Sequence, residues 1–215
     1  MIHREDHHAR VCHLTSVHAP FDTRIFSKEC QSLAEMGFDV HLVAGNTEDI
    51  IRDGVHIHGV RRRGNRVGRM VFTAAAVYRK AFSLDADIYH IHDPELIPAA
   101  ILLTFRGKRV VYDMHEDYSS WLSFNEAIPR FFRATAARMF SILERYAVRR
   151  FAAVVTVTPP IMEKFRTVNP RTVLVRNFPR ASEFAPDGKP PAEWALREDA
   201  VCYVGRITPE RGIRE

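Results

Sequence analysis

Cysteine is scarce in this chain of 215 residues: Cys12, Cys30 and Cys202 stand far apart, in no metal-binding or redox spacing. That excludes a disulfide scaffold and a zinc ribbon, and suits a reducing cytoplasm. Long apolar runs are missing too, since none approaches the roughly 20 residues needed to span a bilayer. The first ten residues are polar and His-rich, unlike a signal peptide. There is no low-complexity tract and no internal repeat of fixed period. Acidic residues are in the minority, 26 Asp and Glu against 31 Lys and Arg, giving a net charge of +5. Arginine supplies most of the excess, and its planar fork suits phosphate and diphosphate groups. No nucleic-acid-binding signature accompanies the charge, so nucleic acid is not an expected partner.

What the chain does contain is apolar material, 46% of residues, enough for a sizeable core. It is arranged as short β-branched runs, polar loops and amphipathic helices in alternation. Strands are expected at residues 10–14, 40–44, 55–60, 88–92, 109–112, 153–157 and 172–175. Helices are expected at 23–36, 66–84, from Pro94, at 129–150 and at 160–166. Gly37 is placed to end the first helix and Pro94 to open the third. Strands separated by helices, several of them almost wholly apolar, predict an α/β fold: an open, mostly parallel Rossmann-like sheet with helices on both faces. Residues 1–177 form this domain. Residues 178–199, with four prolines and a glycine, read as a linker, and residues 200–215 as the beginning of a second, truncated domain.

Ligands bind such sheets beyond the carboxyl ends of the strands, and there the polar residues gather: Thr15, Ser16 and His18, then His92, Asp93 and Glu95, then Asp113, His115 and Glu116, then Thr158. Asp93 and Thr158, each before a proline, read first as helix N-caps. No helix is expected to start after His115 and Glu116, so these two read as site residues. His90 and His92 would share one face of a strand and could converge on a metal only with help from another segment. The spacing matches no zinc pattern, and no metal is expected.

Two basic stretches stand apart. In the helix at 129–150 the arginines lie away from a stripe of Phe132, Ala136, Met139, Phe140, Leu143 and Tyr146, which reads as a solvated face over a core-facing stripe. Arg61, Arg62, Arg63, Arg66 and Arg69 read as a patch for anionic lipid headgroups, each worth about 1 kcal/mol near such a surface.

Four segments carry a family resemblance: Phe21-Asp22-Thr23-Arg24-Ile25-Phe26-Ser27-Lys28-Glu29, His90-Ile91-His92-Asp93-Pro94-Glu95-Leu96, Val111-Tyr112-Asp113-Met114-His115-Glu116-Asp117, and Tyr203-Val204-Gly205-Arg206 followed by Arg211-Gly212-Ile213. In this order they resemble the family-4 retaining glycosyltransferases of the two-domain GT-B fold, over residues 10–215. The resemblance implies an acceptor-side N-terminal domain and a donor domain that begins near residue 200. It implies transfer of a sugar from a nucleotide-sugar donor to a glycan or lipid-linked acceptor, with no cofactor and no essential metal. By the same likeness His115 is the catalytic histidine near the donor sugar, and Arg206 and Arg211 grip the donor diphosphate. Ser16, Asp22, Arg24, Asp93, Glu95 and Glu116 are the substrate-binding candidates. A Gly-Gly pair common after the first strand of relatives is replaced by His18-Ala19-Pro20-Phe21-Asp22, and the family's Glu-x7-Glu element is absent. The piece is therefore expected to be inactive alone. It is expected in surface polysaccharide or lipopolysaccharide synthesis, in the cytoplasm or peripheral to the inner face of the cell membrane. Two alternatives share these features: a stand-alone acceptor- or membrane-recruiting subunit, and a sugar-nucleotide 2-epimerase.

Overall fold

A computed structural model of the chain describes residues 9–61, 68–126 and 128–179. Eight strands form one sheet: β1 (Arg10–Leu14), β2 (Asp39–Gly45), β3 (Ile50–Arg52), β4 (Val55–Val60), β5 (Ile88–Ile91), β6 (Arg109–Met114), β7 (Ala153–Thr156) and β8 (Thr172–Leu174). Their order across the sheet is β3-β4-β2-β1-β5-β6-β7-β8. All neighbours are parallel except β3, which runs antiparallel to β4 and escapes the sequence pattern because its three residues are exposed.

Among the described residues six helices connect the strands. Helix α1 begins with a wide π-helical stretch (Thr23–Cys30) and continues as Gln31–Glu35. Helix α2 joins Arg69–Thr73 to Ala74–Leu84, and α3 joins a 3-10 turn, Pro94–Leu96, to Ile97–Phe105. Then come α4 (Tyr118–Phe124), α5 (Arg130–Val148) and α6 (Pro159–Arg166). Gly37 ends α1 at φ +91°, the left-handed conformation expected of it.

The alternation of side chains along each strand sorts the core into two layers. Cys12 and Leu14 of β1, Tyr89 and Ile91 of β5, and Val110, Tyr112 and Met114 of β6 pack with residues of α2, α3, α5 and α6 on one face. Val40, Leu42 and Ala44 of β2, with Val55 and Ile57 of β4, pack with Ile25, Phe26 and Cys30 of α1 on the other. Cys12 and Cys30 are both buried thiols. The residues of β1, β5 and β6 that alternate with the first layer therefore point toward the α1 side: His13, His90 and Asp113.

Helix α5 departs from its expected packing. Of the stripe assigned to the core, Phe132 is 57% and Met139 67% exposed, while Ala137, Glu144, Ala147 and Val148 are buried. At its far end the helix meets the buried side chain of Asn169. Its Nδ2 donates to the carbonyls of Val148 at 2.9 Å and Phe151 at 3.0 Å, and its Oδ1 accepts the Arg171 N–H at 3.0 Å. Asn169→Ala should strand these buried groups and lower stability by about 3 kcal/mol. An unchanged urea midpoint would show that the three bonds are dispensable.

Candidate functional site

The chain leaves β1 toward one edge of the sheet and returns through β5 toward the other, so the topological switch point lies between these two strands. The loop after β1 and the turn after β5 meet there, and Asp93 ties them together. Its Oδ2 accepts from Ser16 N at 2.6 Å, Thr15 Oγ1 at 2.8 Å and Val17 N at 3.1 Å, and His18 Nδ1 stands 3.0 Å from Oδ1. Ser16 Oγ lies 3.2 Å from the same Oδ2 and donates at 2.8 Å to Glu95 Oε1. Asp93 thus follows the helix-cap position but makes no cap hydrogen bond with its side chain. Thr158 makes none either. The capping expected of both is absent: the Asp93 carboxylate is drawn across to the β1 loop, and after Thr158 the second helical position is Pro160, which has no N–H to offer.

Beside this tie stands a second group. Arg24, 6% exposed, forks onto Asp113 with Nε to Oδ2 and Nη2 to Oδ1, both at 2.9 Å. Asp22 makes that possible by capping α1: its Oδ1 accepts from Arg24 N at 2.9 Å and Ile25 N at 3.0 Å. Asp22 therefore acts on the helix start and leaves Arg24 to face the site. His115 Nε2 is 2.7 Å from Asp113 Oδ2. Burial would raise the Asp113 carboxyl, but His115, His92 and Arg24 overcome it and hold the group ionised, well below its ordinary range. Arg24 Nε lies 3.1 Å from the same His115 Nε2, so both members of the ion pair reach the ring at one nitrogen. The His18 and His115 rings are 5.8 Å apart, so the two groups share one rim.

Glu116 is exposed and remains outside this rim, its carbonyl accepting the Tyr118 N–H at 3.1 Å. A helix does start here after all: Asp117 caps α4 through the Ser120 N–H at 3.2 Å and also accepts Lys164 Nζ at 2.7 Å. The run Tyr118–Phe124 lacks an apolar period, which is why α4 was not expected. Arg206 and Arg211 lie outside the described residues, as do Arg62, Arg63 and Arg66, whereas Arg61 is exposed. Glu29 and His13 are the residues that sequence reasoning passed over. Glu29 Oε1 lies 3.0 Å from Arg24 Nε, and burial together with Asp113 raises the Glu29 carboxyl to about 10. Its signal was its place at the end of the Phe21–Glu29 segment, five residues beyond Arg24.

On the opposite side of the β1 loop a cleft of about 450 Å³ opens, lined by Val17, Val71, Tyr118, Trp121, Leu122 and Leu143 among others, with Glu95 as its carboxylate. Among the described residues no helix is long and apolar enough to cross a membrane.

The model of the glycosyl transferase 4-like domain family matches residues 23–180, which include α1, the Asp93 tie and the Asp113–His115 pair. The chain belongs to that family. Solved structures agree on the fold of this glycosyl transferase 4-like chain. Sucrose-phosphate synthase from Thermosynechococcus elongatus superimposes with a TM-score of 0.58 at 14% identity, covering 85% of this chain and 53% of the other. The catalytic domain of starch synthase IV from Arabidopsis thaliana, bound to ADP and acarbose, gives 0.55 at 13% identity, over 79% and 52%. Os79 from O. sativa, in complex with UDP and deoxynivalenol-3-glucoside, gives 0.55 at 15% identity, over 86% and 56%. The chain spans about half the length of each, and its sheet is one Rossmann-like half of the GT-B fold. No curated protein matches it in sequence.

The Asp93 tie should show in acid. Burial opposes ionisation of Asp93, but the His18 contact and the Ser16 and Thr15 donors bring its carboxyl down to about 2 from an ordinary 3.8. A depressed carboxyl stabilises the fold above its unfolded value and loses that effect as pH falls through the folded one. Asp93→Asn should therefore lower stability near neutral pH by about 2 kcal/mol and flatten its decline between about pH 4 and pH 2. Asp117, also near 2 through burial offset by Lys164 and its serine donors, leaves a residual slope. The hydrogen bond that His18 donates to Asp93, against burial, raises His18. Its contribution is full below about pH 6.5 and fades above, a dependence that His18→Ala should remove. Identical denaturation curves against pH for wild type and both variants would contradict this electrostatic tie.

Proposed function

We propose that this chain is the acceptor-side half of a retaining glycosyltransferase, which moves a sugar from a nucleotide-sugar donor to a glycan or lipid-linked acceptor. One observation carries the reading: the ends of β1, β5 and β6 and the start of α1 bring Ser16, Asp93, Glu95, Arg24 and His115 to a single rim beside an apolar cleft. His115, oriented through Asp113, is the residue next to the donor sugar. In that reaction a diphosphate leaves and charge develops that fixed donors and cations can stabilise. Arg206 and Arg211 are the cations for that diphosphate, in a donor domain that starts near residue 200 after a linker at 178–199. No metal ion takes part in the transfer itself.

The cleft supports the lipid-linked choice of acceptor. Its walls are almost wholly aliphatic and aromatic, with Glu95 at the edge nearest Asp93, which fits an apolar carrier presenting a hydroxyl to the rim. The exposed Phe124, Phe131, Phe132, Met139 and Ile142 of α4 and α5 suit contact with a membrane surface, to which the Arg61–Arg69 patch adds attraction for anionic headgroups. Work at the inner face of the cell membrane, in assembly of a surface polysaccharide or lipopolysaccharide, follows from this reading.

The test is a broad donor screen by mass spectrometry on the protein extended through its donor domain, with lipid-linked and free glycan acceptors. Transfer from no nucleotide sugar counts against the proposal, and epimerised sugar without acceptor favours an epimerase. In the extended enzyme His115→Ala should lower turnover by about a hundredfold with little change in donor affinity. Arg206→Ala should act oppositely, weakening nucleotide binding by roughly tenfold in calorimetry. Undiminished turnover in the first variant, or unaltered affinity in the second, removes that residue from the site.

A further inference from the structure

Beneath the rim, on the α1 side of the sheet, lies a group of side chains that the transferase reading does not use. His13 and His90 are directly paired across β1 and β5, so both point to the same face, and His92, two residues on, joins them. Three imidazoles occupy the centre of a parallel sheet, where apolar side chains would ordinarily sit. Glu29 of α1 closes over them. Its Oε2 is 3.8 Å from His13 Nδ1, 3.8 Å from His92 Nε2 and 3.9 Å from His90 Nδ1, while His13 Nδ1 and His92 Nε2 are 3.0 Å apart.

These separations are too long for hydrogen bonds to the carboxylate, and neither Glu29 oxygen makes one among the described residues. A buried oxygen in that position costs free energy unless something satisfies it. The spacing matches another arrangement: around a tetrahedral ion with ligand bonds of about 2.0–2.1 Å, neighbouring ligand atoms stand about 3.3 Å apart. The four measured edges bracket that value, and one ligand atom from each residue lies within 4.8 Å of every other.

We propose that His13, His90, His92 and Glu29 form a four-coordinate site for a divalent first-row transition ion, of which Zn2+ is the best match to three imidazoles and one carboxylate.

The surroundings agree with this assignment. His92 Nδ1 stands 3.4 Å from Asp113 Oδ2, the carboxylate–histidine pairing that orients a metal-bound imidazole through its second nitrogen. Arg24 Nε stands 3.0 Å from Glu29 Oε1, a charge contact on the side away from the histidines that Oε2 approaches. Burial keeps all three imidazoles in the neutral form that ligates. A cation among them supplies the positive charge that Glu29 needs to ionise. The alternative trio His92, Asp113 and His115 is less suited, because Arg24 already occupies both Asp113 oxygens. The missing helper for His90 and His92 is thus β1 together with α1, two segments that only the fold brings near. The ion would fasten α1 to the sheet, and this assignment stands whether or not the chain takes part in sugar transfer.

The experiment uses the full chain, without a polyhistidine tag, stripped by chelator and titrated with Zn2+ by calorimetry and with Co2+ by visible absorption. His3, His7 and His8 near the N-terminus are a competing ligand source, so a triple alanine variant of these three is run alongside. The expected result is one ion per chain, a four-coordinate Co2+ spectrum, and at least tenfold weaker binding in Glu29→Gln and in His90→Ala. The triple variant should bind like wild type. Absence of tight binding by the wild type, loss of it in the triple variant, or unchanged affinity in Glu29→Gln and His90→Ala would overturn the site. Should both site variants fail to fold, X-ray absorption of the Zn2+-loaded wild type decides. Three imidazoles and one oxygen uphold the assignment, and any other ligand set refutes it.

Discussion

A guanidinium almost without access to water faces a carboxylate with none, and most of what is polar in this molecule is arranged around that pair. Arg24 and Asp113 meet by two parallel hydrogen bonds, the strongest geometry available to such groups. Each charge was removed from water to make the contact, so loss of either partner would leave the other buried and uncompensated, at about 3–5 kcal/mol. The pair joins α1 to β6 across the sheet. It also holds His115 at Nε2, keeps Asp113 ionised beside His92, and stands against Glu29 one turn further along α1. The Asp22 cap fixes the start of α1, and so fixes where Arg24 can reach.

The rim and the cleft are two faces of one loop. Residues 15–18 present His18 toward His115 and Val17 toward the apolar walls, with Ser16 bonded to Asp93 and to Glu95 at once. Asp93 is the shared post. A group seated in the cleft would press on the same short segment that positions the polar rim, which gives a physical route by which acceptor and reacting centre could sense each other.

Much of this architecture could be read from residue order because it depends on local rules. Strand and helix alternation, Gly37 at the end of α1, and the collection of Ser16, Asp93 and His115 at strand ends all follow from period and position. The family segments point to the same residues. The failures have physical reasons as well. β3 is short and exposed, α4 has no apolar period, and α5 leaves Phe132 and Met139 bare where periodicity assigned them to the core. Asp93 sits where a cap belongs yet bonds elsewhere, since a carboxylate follows the nearest unpaired donors rather than its sequence position. His13, in an apolar strand, and Glu29, in an amphipathic helix, look unremarkable until register sets them face to face.

The site is also remote from itself along the chain. Thr15 and Asp93 are separated by 78 residues, and Arg24 and Asp113 by 89. Contacts of that span are slow to form, because the connecting loops must be closed before the contacts can reward closure. A growing polypeptide therefore carries α1 with a charged arginine that has no counterpart until β6 has been synthesised and docked. The rim therefore cannot be complete before the chain has been made as far as β6, more than half of its length.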